Sequence, residues 1–90
     1  MVNLLEKLKA GARVVDVRSS DEFAEEHYPK AINIPVDQIQ SRLGEFGPLN
    51  TSIVFYCASG ARSAFAARIL KSAGYTDVLN AGGLSDMPGF

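Results

Sequence analysis

Residues 52–63 read Ser52-Ile53-Val54-Phe55-Tyr56-Cys57-Ala58-Ser59-Gly60-Ala61-Arg62-Ser63: an apolar run that stops at a cysteine and gives way to small residues. The run at 52–56 is β-branched and aromatic, the composition of a buried strand, and it ends at Cys57. Residues 58–62 are too small and flexible to pack, so they read as a tight loop. A helix is expected from about Ser63 to Ala73, with Phe65, Ala66, Ile69, Leu70 and Ala73 on one apolar stripe. Gly74 suits the left-handed residue that closes such a helix.

The pattern repeats on either side. Asn3 with Glu6 three residues on opens a short helix through Ala10, which Gly11 ends. Residues 13–17 form a strand expected to be buried on both faces. Ser19 and Glu22 make a second capping pair for a helix of one or two turns to about Glu26, with Pro29 as its stop. Residues 31–34 give a second short strand closed by Pro35. Asp37 is placed to cap a helix carrying Ile39 and Leu43 on one edge, before Gly44, Gly47 and Pro48 break the chain. Residues 77–79 form a last short strand, and Gly82-Gly83 turns the chain into a brief final segment. Short strands alternating with helices predict an α/β fold: a small, mainly parallel sheet with helices on both faces, in one domain over residues 1–90.

Composition narrows the function. Hydrophobic residues make up 47% of the chain and charged residues 21%, the balance of an ordinary globular domain. No apolar run approaches the roughly 20 residues that span a bilayer, so no membrane partner is expected. Glu6, Lys7 and Lys9 interrupt the leucines of the first ten residues, unlike an export signal, and a cytoplasmic setting is expected. The net charge is −1 and the nine basic residues are scattered, which argues against nucleic acid. A single cysteine excludes an internal disulfide and any Cys-rich zinc site, and no metal or other cofactor is expected.

That cysteine is either a core residue or a reactive group. A lone cysteine at the end of a buried strand is commonly inert. Here the next six residues point the other way. In an open α/β sheet, ligands bind beyond the carboxyl ends of the strands. A helix N-terminus there offers unpaired N–H groups and about half a positive charge. Those donors favour a thiolate over a thiol. Arg62, five residues after Cys57, adds a full charge, and Gly60 with Ala58, Ser59 and Ala61 lets the backbone curl into an anion cradle. Ser63 reads as the helix N-cap.

The run from Cys57 to Ser63 resembles the active-site loop of rhodanese domains, Cys-x-x-Gly-x-Arg followed by Ser or Thr. Val15-Asp16-Val17-Arg18 with Glu22-Phe23 is similar to the family's Asp-Val-Arg and Glu-Phe/Tyr signature. His27-Tyr28-Pro29-Lys30-Ala31-Ile32-Asn33-Ile34-Pro35 is similar to its Gly-His-Ile-Pro-Gly-Ala-Ile-Asn-Ile-Pro segment, and Gly82-Gly83 matches its glycine pair. Glu26 and Lys30 stand where the family has Gly, Tyr28 where it has Ile, and Leu84 where it has Trp. The resemblance covers essentially the whole chain.

It implies a thiosulfate sulfurtransferase with Cys57 as the persulfide-forming nucleophile. Ala58, Ser59, Gly60, Ala61, Arg62 and Ser63 would then form the loop that cradles the sulfur and the donor's oxyanion. Asp16, Arg18 and Glu22 are expected to make structural contacts, and His27 to belong to the scaffold. The implied partners are a small-molecule sulfur donor and a cyanide or thiol acceptor, or a protein acceptor in a sulfur relay, with the chain itself a monomer. Two rivals remain at this level. Cysteine phosphatases and arsenate reductases also use a loop cysteine and an arginine, but phosphatases place five residues between them where this loop has four. A binding module that senses oxidants through Cys57 would not need the whole loop, which is intact here.

Overall fold

The structure, a computed structural model, describes residues 3–90. The first expected helix forms as α1, Leu4–Lys9, with both halves of its capping box made: Asn3 accepts from the Glu6 N–H at 2.9 Å and Glu6 accepts from the Asn3 N–H at 3.4 Å. An ion pair between Lys7 and Asp77 ties it to the far end of the chain. Strand β1 follows, Arg13–Asp16, and then α2, Ser20–Glu25, opened by the Ser19–Glu22 box. This helix ends before Pro29, its cap residue Glu26 already being extended. Strand β2 shrinks to Ile32–Asn33.

The helix expected after Asp37 does not form. Val36–Gln38 and Gln40–Phe46 are 3₁₀ turns, entered from Pro35 without any side-chain cap. Pro35 fixes the entry, and Arg42 breaks helical geometry at φ −117°, so the segment stays tight and short. Ile39 and Phe46 are nevertheless fully buried.

Strand β3 is Ile53–Cys57, buried at every position. Helix α3 is Ala61–Ser72, starting two residues earlier than its sequence suggests. Its buried face is Ser63, Ala66, Ala67 and Leu70, whereas Phe65, expected on the inner stripe, is 53% exposed. Strand β4 runs Val78–Gly83, longer than the expected three residues, and Gly82-Gly83 lies inside it rather than after it.

All four strands are parallel, in the order β2-β1-β3-β4. From β1 the chain crosses by α2 to one side, and from β3 it crosses by α3 to the other. Right-handed crossovers in opposite directions put α2 and α3 on opposite faces of the sheet. The core divides accordingly. Val15, Phe55 and Cys57 pack with Ala66, Ala67 and Leu70 of α3 on one face, and Tyr56 packs with Leu4, Leu8 and Phe23 on the other. Alternation along β3 therefore aims the Cys57 side chain towards α3. β1 is less covered than expected only at its start: Arg13 is exposed and Val14 half-buried, whereas Val15, Asp16 and Val17 are buried.

Lys30 adopts φ 68°, the left-handed region that favours Gly. Among the described residues no helix is long and apolar enough to cross a membrane.

Candidate active site

The strand order reverses between β1 and β3, so the carboxyl ends of these two strands frame the crevice where such sheets bind ligands. Cys57 closes β3 at that point. The chain then turns through Ala58 and Ser59, both exposed, to Gly60 at φ 101°. That left-handed conformation makes Gly60 the N-cap of α3 without any side-chain cap. The cysteine sulfur takes the missing acceptor's place: the Gly60 N–H donates to Cys57 Sγ at 3.0 Å. Ser63 Oγ lies 3.4 Å from the same sulfur. Ser63 is thus a first-turn residue turned back onto the loop, where its Oγ stands 3.1 Å from Gly60 O, rather than the N-cap expected.

The electrostatics follow from this placement. Burial of Cys57, which is 1% exposed, pushes its pKa up. Donors facing the sulfur, the Ser63 hydroxyl and then the amides of Ser63, Gly60 and Ser59, outweigh that, and the thiol ends below its ordinary value. Helix-terminal amides favour the charged sulfur for the same reason that they bind other anions.

Arg62 is placed differently from expectation. Its guanidinium makes a forked pair with Glu22, at 2.8 and 3.2 Å, instead of turning into the loop. Glu22 also accepts from the Ser19 N–H at 3.0 Å. The Arg62 bonds first, and the Ser19 bond next, hold the Glu22 pKa down at about 2. One carboxylate therefore caps α2 and clamps it to the first turn of α3. Beside this clamp a cavity of about 300 Å³ opens between the segments after β1 and β2, lined by Ser19, Ser20, Asp37, Gln38 and Arg62.

The other polar candidates bond one another and the backbone. Asp16 is fully buried and accepts from Arg18 Nε at 3.0 Å and Nη2 at 2.7 Å. Arg18 also donates to Glu26 O at 2.6 Å and lies 5.7 Å over the Tyr56 ring. His27 stacks on Phe23 at 3.7 Å and bonds the carbonyl of that residue, on the surface. Tyr56, pushed up to about 12 by burial, accepts from the Tyr28 N–H.

Two supports of the loop carried no sequence signal of their own role. β4 contains one extra residue against β3, since Phe55 pairs with Asn80 but Cys57 with Gly83. This bulge brings Gly83 under the loop, where a Cβ would stand 2.3 Å from Ala58 O. Asn80, also on β4, bonds Ser63 Oγ at 2.6 Å.

Comparison with known proteins agrees with this architecture. Residues 1–87 match the model of the rhodanese-like domain. The thiosulfate sulfurtransferase PspE of Escherichia coli is 40% identical over 74 residues, covering 81% of this chain and 71% of that protein. The structure of the human single-domain sulfurtransferase TSTD1 superposes with a TM-score of 0.82 at 34% identity, covering 92% of this chain and 87% of that one. A putative sulfur carrier protein of Bacillus subtilis, YrkF, is 36% identical over 74% of this chain, which spans 36% of its length.

Proposed function

Because this chain belongs to the rhodanese-like domain family, we propose that it is a sulfurtransferase in which Cys57 carries sulfur from thiosulfate, or a similar donor, to cyanide or a thiol. The observation that carries this reading is the Cys57 sulfur seated as the acceptor at the N-terminus of α3, with the Gly60 amide at 3.0 Å. In the first half-reaction the Cys57 thiolate attacks the outer sulfur of thiosulfate. The donor's S–S bond breaks, its electron pair leaves with sulfite, and a new S–S bond leaves a persulfide on Cys57. In the second half-reaction the acceptor attacks the terminal sulfur, and the Cys57 thiolate is released unchanged. No step needs a general base, because the attacking species is the thiolate that the loop's donors favour.

The residues from Ala58 to Ser63 are the proposed cradle, with the amides of Ser59, Gly60 and Ser63 aimed at the sulfur as an oxyanion hole aims donors at developing charge. Arg62 holds this loop to α2 through Glu22. Since Cys57 is 1% exposed, the exposed residues Ala58 and Ser59 must yield for the donor to reach it. We take residues 1–90 as one catalytic domain acting as a monomer, in the cytoplasm, where thiol acceptors stay reduced. The sulfur-carrier relative supports a second reading, delivery of the persulfide sulfur to a protein acceptor by the same loop.

Intact mass after mixing with thiosulfate tests the reaction. The expected result is a gain of about one sulfur atom that cyanide removes and that Cys57→Ala never acquires. Turnover without any such adduct overturns the covalent mechanism.

A further inference from the structure

We propose that Asn80 is a positioning residue for this reaction: by holding the single hydroxyl hydrogen of Ser63, it withholds that donor from the Cys57 sulfur. The site works against its own thiolate at one contact, and Asn80 sets by how much.

Ser63 is fully buried, so water does not compete for its hydroxyl. Four groups surround Ser63 Oγ: Asn80 Oδ1 at 2.6 Å, Gly60 O at 3.1 Å, Gly82 O at 3.4 Å and Cys57 Sγ at 3.4 Å. A hydroxyl has one hydrogen to give. The first three neighbours can only accept, because the orientation of the Asn80 amide is fixed by its other partners. The Gly82 N–H donates to Oδ1 at 3.0 Å, and Nδ2 reaches Gly60 O at 3.3 Å. Rotating that amide by half a turn would set donor against donor and acceptor against acceptor.

The hydrogen therefore goes to the shortest contact, Asn80 Oδ1. With a neutral thiol this is a satisfied arrangement, since the S–H can point at a Ser63 lone pair. With a thiolate it is not. The hydroxyl must then swing from Asn80 to the sulfur, giving up one hydrogen bond to gain a charge-assisted one. A persulfide anion on Cys57 meets the same choice.

The charged groups near the sulfur are few. Arg62 of α3 is held by Glu22 of α2, and Arg18 beyond β1 is held by Asp16. Asp86, beyond β4, accepts from the Gly83 N–H at 2.8 Å. A change at Asn80, which is exposed and uncharged, touches none of these pairs.

The test is the pH profile of Cys57 alkylation by iodoacetamide in the full chain, for the parent, Asn80→Ala, Ser63→Ala and the double variant. Removing the amide frees the Ser63 hydrogen for the sulfur. The Asn80→Ala midpoint should fall, with alkylation on its acid side about tenfold faster. Ser63→Ala should raise the midpoint, and in that background Asn80→Ala should change nothing. Asn80→Ser, whose hydroxyl is too short to hold Ser63, should repeat the Asn80→Ala result and serves if the alanine variant does not fold. An equal fall in both backgrounds, or no fall in Asn80→Ala and Asn80→Ser, overturns the proposal. The inference rests on Cys57 being the sulfur carrier. The midpoint of alkylation, however, reads ionisation and not sulfur transfer: failure to form a persulfide with this pattern intact would overturn the proposed reaction and leave the role of Asn80 standing.

Discussion

Replacing Gly83 by alanine tests how the loop is held. Gly83 has φ −94° and ψ 167°, a conformation open to any residue, so backbone strain is not the obstacle. Space is. An added Cβ would stand 2.3 Å from Ala58 O and 3.1 Å from its carbonyl carbon. A carbon–oxygen contact relaxes near about 3.3–3.6 Å, so the carbonyl must retreat by roughly 1 Å. No side chain can bend away, because both groups are backbone, and Ala58 directly follows Cys57. Forcing an extra methyl into a packed site costs about 1–3 kcal/mol. At roughly 4–8 °C per kcal/mol for a domain of this size, melting should drop by about 5–20 °C. A displacement of about 1 Å in the cradle can also lower turnover about a hundredfold. The assay is thermal unfolding by circular dichroism together with kcat/KM for thiosulfate and cyanide, measured well below the melting range. Gly11→Ala is the control. At φ 91° with nothing within 4 Å, it should lose about 1–2 kcal/mol from backbone strain yet keep its rate. A Gly83→Ala protein as active per folded molecule as the parent would refute the reasoning.

Three further outcomes are expected. Glu22, held at about 2 when folded, contributes stability above its unfolded value near 4.5 and loses it as pH falls from there towards 2. The pair is partly exposed and worth about 1 kcal/mol or less, so urea midpoints of the parent and Glu22→Gln should differ slightly at pH 7 and converge near pH 2. Asp16→Ala strands the buried Arg18 guanidinium and should cost about 3–5 kcal/mol in urea unfolding, much of the total stability of so small a domain. Lys30→Gly relieves the left-handed backbone at φ 68° and should raise the urea midpoint, by up to about 1 kcal/mol in stability.

These predictions separate what local sequence encodes from what it does not. The capping boxes at Asn3 and Ser19 were legible because both partners lie three residues apart. The parallel sheet was legible because apolar strands alternate with helical stretches, and Cys57 fell at a strand end for the same reason. The start of α3 was not. Ser63 has the chemistry of an N-cap, whereas the actual cap is a left-handed Gly60 whose amide bonds a sulfur, and no propensity registers that arrangement. Asp37 suffered the reverse error: a good capping residue follows Pro35, which had already committed the chain to a 3₁₀ turn. Gly82-Gly83 looked like a turn, and only the bulge in β4 explains why the second glycine must lack a side chain. The partners that tune the site are remote in sequence. Glu22 meets Arg62 across 40 residues and Asn80 meets Ser63 across 17, distances over which single-sequence patterns carry no pairing information.

The central claim is that donors at the head of α3 hold the Cys57 thiol below its ordinary pKa despite its burial. Ultraviolet absorbance of the thiolate, followed against pH in the parent and in Cys57→Ala as the blank, measures this directly. The expected titration has its midpoint below the roughly 8.5 of an ordinary cysteine. A midpoint at or above that value would mean that burial outweighs the loop's donors, and Cys57 would then be a core residue.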